Sequence, residues 1–361
     1  MKLRLVGTAA AAGLVASALT GCSSVIENAT PTPVDFKACL VTTAAGVNDG
    51  ARNQLAYFAL QQATVQFGSA MSIVQLKVDS ADAVTRAGKK LVSRGCNLVF
   101  AIGSYATAGL LPLAQGNPNR YFRALDVGPG SGGLSGAPAS NLWSTSLDIR
   151  TAYLQAGYLA AAASESGTVA IIAGSSDPEV VDQIWYFRQG VYQFSAKTGK
   201  LITILGADRA EPGNWQFISQ DTPPGSLAVK TKALAAAGAD VILPLGVNYL
   251  PVAQAAAQLG VKVIGADSDW AAQPRFAAVK SAILASVVKP IAENLLVETS
   301  NAMSLAGLDA PGDANQVASQ IVALTPEADL AWPAGLAPTL NDLANDYAAG
   351  KLTVVEEPAR Y

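Results

Sequence analysis

The chain has 361 residues, half of them hydrophobic and 14% charged, which is enough for sizeable cores and excludes a disordered polymer. With 24 basic against 27 acidic residues, a net charge of −3 and the bases scattered, nothing along the sequence attracts nucleic acid. Histidine is absent, which removes Ser-His-Asp and Cys-His nucleophilic catalysis and the usual zinc sites; the expectation of an enzyme falls without vanishing.

Lys2 and Arg4 head the chain, an uncharged apolar run follows over 5–19, and Leu19-Thr20-Gly21-Cys22 ends it. A basic head, an apolar stretch and a small-residue cleavage site read as a secretory signal. The run is shorter than the roughly 20 apolar residues of a membrane span, and no later run approaches that length. Leu-x-Gly-Cys resembles the lipobox of bacterial lipoproteins. The resemblance implies that residues 1–21 are removed and that Cys22 is acylated, anchoring an exported chain to the outer face of the cytoplasmic membrane. Each acyl chain contributes about 0.8 kcal/mol per buried methylene, so two chains hold stably. An ordinary signal peptide with a chance cysteine is the alternative. Residues 22–35, with Ser, Asn, Thr and Pro and no apolar period, read as a flexible tether.

The body alternates short β-rich runs with helical patterns. Strands are expected over 37–43, 72–78, 97–102 and 121–126. Helices are expected over 53–67, with apolar spacing at Leu55, Phe58, Ala59 and Ala63, and over 80–94, with Ser80 as N-cap and Gly95 as stop. A short helix follows Gly103-Ser104. A second series opens with an Ala-rich helix over 149–164. Strands over 168–173, 201–205, 240–244 and 261–265 alternate there with helices over 178–196, 226–237 and 249–259, and a further apolar run stands later, over 282–285. Two tandem βαβ series imply an α/β chain with two mostly parallel sheets and a small-molecule cleft between the units. Cys39 lies in the first strand and Cys96 just before the third. Outside the membrane they can pair if those strands are neighbours; buried thiols are the alternative.

Ligands of open α/β sheets sit beyond the carboxyl ends of strands. The first strand is followed by Gly46-Val47-Asn48-Asp49, with Asn53 one turn later; the fourth ends at Asp126. In the second series Gly265-Ala266-Asp267-Ser268-Asp269 follows a strand directly, and later Ser286-Val287-Val288-Lys289 sits at the end of the run 282–285. Any one of these is ordinarily an N-cap or a solvated turn, but the set, repeated in both units, points to one polar rim.

At these residues the chain resembles the basic membrane protein family of bacterial ABC-transporter substrate-binding lipoproteins, which includes PnrA-like nucleoside binders. The matching motifs are Gly46, Asn48, Asp49 and Asn53; Tyr153-Leu154 with Tyr158 to Ala161 and Gly174; Phe187 and Gly190; Asp221 and Gly225; Gly238 to Ile242; Gly265 to Asp269; and Ser286 to Lys289. The resemblance implies a type I periplasmic-binding-protein fold, two Rossmann-like lobes joined by three crossovers. Residues 36–147 with about 268–308 would form the first lobe, and 148–267 with about 309–361 the second. It also implies a nucleoside-like ligand held by Asp49, Asn53, Asp126, Asp267 and Lys289, with backbone approach at Gly246. The implied ring is Tyr57 or Phe58; the ordinary alternative, favoured for Phe58, is helix core. Asn48, Asp269, Trp215 and Phe217 are further candidates. The loop Pro244 to Tyr249 is bulkier than the family's glycine-rich one, and Ser219-Gln220 replace an aromatic expected before Asp221.

The implied partners are a nucleoside-like small molecule, an ABC permease and, through the lipid, the membrane. No cofactor, metal or nucleic acid is expected, and the chain is expected to act as a monomer. A ligand sensor needs the same cleft. A nucleoside or glycoside hydrolase would need paired carboxylates, for which Asp267 and Asp269 are the tight acidic pair at a strand end.

Overall fold

A computed structural model describes residues 35–42, 46–75, 80–125, 139–207, 216–219, 222–305, 317–321, 323–326, 332–333 and 335–352. The signal region, Cys22, the tether up to residue 34, Asp126, Trp215 and Asp221 lie outside the described residues.

The first series runs β1 (Lys37–Thr42), α1 (Arg52–Phe67), β2 (Ala70–Gln75), α2 (Ala81–Ser93), β3 (Leu98–Ile102), α3 (Ala106–Gly116), β4 (Tyr121–Leu125) and β5 (Leu142–Asp148). The second runs α4 (Arg150–Ala163), β6 (Thr168–Ala173), α5 (Pro178–Thr198), β7 (Thr203–Leu205), α6 (Pro224–Ala236), β8 (Val241–Leu245), α7 (Tyr249–Gln258), β9 (Lys262–Gly265) and β10 (Ile283–Val288). A 3-10 segment, Pro274–Ala282, lies between its last two strands. The chain then adds α8 (Ile291–Leu305), β11 (Val317–Ile321), β12 (Ala323–Pro326) and α9 (Leu336–Ala348). Expected elements recur with ends shifted by a few residues, and the Ser80 hydroxyl caps α2 by accepting from Ala83 N–H at 3.3 Å.

Two six-stranded sheets form, in the orders β11-β5-β4-β3-β1-β2 and β12-β10-β9-β8-β6-β7. The winding is the same in both, so each unit is a Rossmann-like lobe. Strands such as β3 and β8 are buried along their whole length, which is why they read as unbroken apolar runs. The hydrophobic pattern shows no strand over 142–148. β5 forms there because its buried polar positions are satisfied: the Ser144 hydroxyl meets the Thr107 hydroxyl at 2.9 Å.

Strand pairing departs from the expected lobe boundaries. Residues 268–308 do not go together to the first lobe, because β10 pairs with β9 in the second sheet and only α8 returns, against α1. Nor do residues 309–361 stay with the second lobe: β11 extends the first sheet beside β5, while β12 closes the second, antiparallel to β10. The chain thus crosses between sheets after β5, after β10 and after β11, which is the three-crossover arrangement of the type I fold. In the tail, the Trp332 indole donates to the Leu284 carbonyl at 3.2 Å, tying that segment to β10.

Helices α4 and α5 lie back to back through Gly157 and Gly190. A Cβ on Gly157 would stand 1.8 Å from the Phe187 carbonyl oxygen, and one on Gly190 1.9 Å from that of Leu154. Cys39 and Cys96 are joined in a disulfide between β1 and the start of β3, with Cα atoms 6.0 Å apart. It closes a separation of 57 residues. Its removal by a Cys39→Ala, Cys96→Ala double variant is expected to lower unfolding free energy by about 4 kcal/mol on the chain-entropy relation. Urea denaturation of the oxidised and double-variant proteins measures this. A loss under about 1 kcal/mol would mean that the unfolded chain is not confined by the bond.

Candidate functional site

The described strand-end residues converge between the two sheets. After β1, Gly46–Asn48 makes one 3-10 turn and Asp49 precedes α1. The Asp49 carboxylate accepts the N–H groups of Ala51 at 2.8 Å, Gln54 at 3.0 Å and Asn53 at 3.1 Å, so it supplies the donors' partner that Ala51, at the N-cap, has no side chain to provide. Burial pushes the Asp49 carboxyl above the usual carboxylate range. The three N–H groups oppose that rise, and the neighbouring Asp267 charge adds to it.

In the other lobe, α5 begins at Pro178 just past β6, and its second residue, Glu179, is almost fully buried. Both of its oxygens are engaged. Oε2 accepts from Arg52 Nη1 at 2.6 Å, reaching over from α1; Oε1 accepts from Gln183 Nε2 at 3.0 Å and from Lys289 Nζ. The Lys289 ammonium is fully buried and also pairs with Asp267 Oδ1 at 3.2 Å. A buried ammonium is tolerable only with such partners, since desolvation costs several kcal/mol per ion.

Asp267 ends the short run after β9. Among the described residues it is the one non-glycine residue in the left-handed region, at φ 66°. Aspartate tolerates that conformation better than most residues. Three contacts hold it: the Tyr249 hydroxyl donates to Oδ2 at 2.7 Å, Lys289 takes Oδ1, and Lys289 N–H donates to its carbonyl at 3.0 Å. Burial, and then the Asp267 charge, raise the Tyr249 phenol well above its usual range, so it remains a donor. Behind it stands an aromatic column. Trp270 lies 5.1 Å from Tyr249 and stacks on Phe276 at 4.6 Å, and the Arg275 guanidinium covers Phe276 at 4.7 Å. Arg275 in turn donates to the Gly50 carbonyl and to Gln54 Oε1 of the first lobe. Gly50, at φ 75°, leaves room for it: a Cβ there would meet the guanidinium at 2.8 Å.

Of the residues expected from sequence, Asp267 and Lys289 are in contact, and Asp49 stands close enough to feel the Asp267 and Arg275 charges. Asn53 is buried at the start of α1. Tyr57 is half-buried one turn on, its hydroxyl accepting from Gln61 at 2.9 Å. Phe58 is not helix core: it is 53% exposed, opposite the buried stripe Asn53, Ala56, Leu60 and Ala63, with its ring 5.9 Å from Tyr57. Asn48 is exposed. Asp269 caps a turn through the Ala272 N–H at 3.3 Å. Gly246, at φ 61°, serves a backbone crossing, since a Cβ on Gly174 would stand 2.1 Å from its oxygen. Phe217 bridges beside Ala173 at the end of β6.

Sequence reasoning missed Arg52, Glu179, Tyr249 and Arg275. Glu179 also lies beyond a strand end, that of β6, but inside the first turn of α5, where the strand-end rule does not single it out. Arg52 stands between two residues already singled out. Together, Arg52, Arg275 and Lys289 face Asp49, Glu179 and Asp267, so the buried charges balance.

Comparison with known proteins follows the same line. The family model of PnrA-like ABC transporter substrate-binding proteins matches residues 36–199, which carry the whole first series, α4, β6 and α5. Over those residues the chain is similar to that family. A curated relative, the ABC transporter nucleoside-binding protein BmpA of Lactococcus lactis subsp. cremoris (strain MG1363), is 30% identical over 207 residues. The match spans about half of each protein, 55% of this chain and 55% of the relative. Solved structures extend the likeness over most of the chain as fold alone. A solute-binding protein of an ABC transporter system from Aeropyrum pernix K1 superposes with a TM-score of 0.69 at 13% identity, covering 89% of this chain and 94% of the other. A transcriptional activator of the comK gene from Bacillus halodurans gives 0.60 at 19% identity, with 86% and 97% covered. The PnrA-like motifs thus lie on a scaffold that other proteins use for other tasks, and the ligand must be argued from the site.

Proposed function

We propose that the protein is an exported solute-binding lipoprotein that takes up a nucleoside-like molecule between its lobes and presents it to an ABC permease. The observation that carries this reading is the buried Asp267–Lys289–Glu179 cluster at strand ends of the second lobe, in a chain whose residues 36–199 match the PnrA-like family model. Carboxylates bonding sugar hydroxyls, and an ammonium bonding a base or ribose oxygen, make charge-assisted hydrogen bonds, roughly twice as strong as neutral ones. Family and relative support the binding role, the relative's name supports the nucleoside, and Leu19-Thr20-Gly21-Cys22 supports the anchor. A hydrolytic reading on Asp267 and Asp269 is not favoured, because Asp267 is held by Tyr249 and Lys289 while Asp269 turns to the Ala272 N–H.

Thermal unfolding against a panel of purine and pyrimidine nucleosides tests the proposal. A true ligand at a hundred times its dissociation constant is expected to add about 2.7 kcal/mol of stability. Calorimetry should give one site per chain, and chromatography should recover the nucleoside intact. No shift with any nucleoside removes the ligand assignment, and release of free base would turn the reading to catalysis.

A further inference from the structure

Two arginines cross the cleft in opposite directions. Arg52, from α1 of the first lobe, reaches Glu179 at the start of α5 in the second. Its guanidinium lies across the end of β3, where a Cβ on Gly103 would meet it at 3.6 Å. Arg275, from the 3-10 segment of the second lobe, reaches back to the Gly50 carbonyl and Gln54 at the start of α1. These contacts join segments far apart in sequence, 127 residues for Arg52–Glu179 and 221 for Arg275–Gln54. Both need the lobes together, and each is reinforced within its lobe: Glu179 by Lys289 and Gln183, Arg275 by the face of Phe276.

We infer that Arg52 and Arg275 are closure residues, a pair of reciprocal bridges that hold the lobes shut before any ligand arrives and so set the rates of binding and release. The inference rests on the lobes forming a ligand cleft, but not on which ligand fills it. Coulomb energy between unit charges grows as local dielectric falls, so the half-buried Arg52–Glu179 pair is far less screened than a surface pair. Opening exposes both partners to water, which offsets part of the loss. The closed state is therefore favoured by a modest free energy, as a gate requires. Ligand binds at a rate scaled by the open fraction, and leaves at a rate scaled by how often the closed complex opens. Weakening the bridges raises both rates, and affinity changes less than either. Loss of a direct ligand contact instead raises the release rate alone.

The test needs no ligand in its first part. Spin labels at Gln62 on α1 and Lys232 on α6, both exposed and one on each lobe, report the distance between lobes by pulsed electron resonance. The wild-type chain without ligand is expected to give one dominant short distance. The Arg52→Gln, Arg275→Gln double variant is expected to populate a longer one, and Arg52→Lys, which keeps the charge, to lie between. A wild-type chain that already populates the long distance overturns the inference, as does a double variant with the wild-type distribution. In the second part, stopped-flow binding of whichever nucleoside passes the panel should show both rates rising about tenfold in the double variant, with the dissociation constant moving less than either. A rise in release rate alone would assign the arginines to ligand contact instead. Failure of the nucleoside panel leaves the distance measurement intact, so the two readings fall separately.

Discussion

Replacing Lys289 by alanine is expected to cost about 3–5 kcal/mol of folding stability, because it leaves two buried carboxylates facing each other with their shared cation gone. Lys289 is 2% exposed as a residue, Glu179 3% and Asp267 6%, so water does little to replace it. Arg52 still neutralises Glu179 from the far lobe, but among the described residues Asp267 keeps only the Tyr249 hydroxyl at its side chain. The same change also removes the hydrogen-bond donor assigned to the ligand. Urea unfolding of the Lys289→Ala protein without ligand measures the stability loss. Adding Asp267→Asn should return part of it, because the carboxylate left without its cation is then neutral. The non-additivity of that double-variant cycle is expected at about 0.5–3 kcal/mol. A loss below about 1 kcal/mol, with strictly additive variants, would show that the cluster is solvated rather than buried.

Gly190→Ala is expected to cost about 3 kcal/mol or more, although alanine is the better helix former by roughly 1 kcal/mol. The new methyl would stand 1.9 Å from the Leu154 carbonyl oxygen, and Gly157→Ala would place one 1.8 Å from that of Phe187. A flexible side-chain end could swing aside; a carbonyl inside a helix cannot move alone. Helices α4 and α5 must therefore separate, loosening Tyr153, Leu154, Ile184, Phe187 and Val191, all buried around that seam. Gly225→Ala is the control. It lies in the exposed first turn of α6 with nothing within 4 Å of its added Cβ, and alanine there is expected to be neutral or slightly stabilising. Equal stability of Gly190→Ala and Gly225→Ala would show that the two helices are not in backbone contact.

Much of the site was legible before the fold. Asp267 and Lys289 could be named because a polar residue directly after an apolar run marks a strand's carboxyl end, and that is where open α/β sheets bind. Asp49 was legible for the same reason, and the ordinary reading of such a residue holds for it too, since its carboxylate spends three contacts capping α1. Glu179 was not. It sits in the first turn of a helix, where an acidic residue is ordinarily a solvated partner of the macrodipole. Only the meeting of α5 with Lys289 and with α1 of the other lobe makes it the carboxylate that both cations share. Phe58 went astray in the same way. Helical spacing groups it with Leu55 and Ala59, yet the side of α1 that faces the sheet runs through Asn53, Ala56 and Leu60 instead.

By itself, the order of residues determined two α/β units, most of their strands and helices, and the positions where each strand delivers a polar group. Those are local matters: the period of apolar residues decides between strand and helix, and a glycine or aspartate decides where an element stops. Only the tertiary structure decided that β10 stays with the second sheet while β11 joins the first, and that Arg52 and Glu179 meet. Such pairings depend on which apolar faces cover one another across more than a hundred residues. No window of sequence contains both partners, and a charge has the same local signature whether solvent or another lobe lies beyond it.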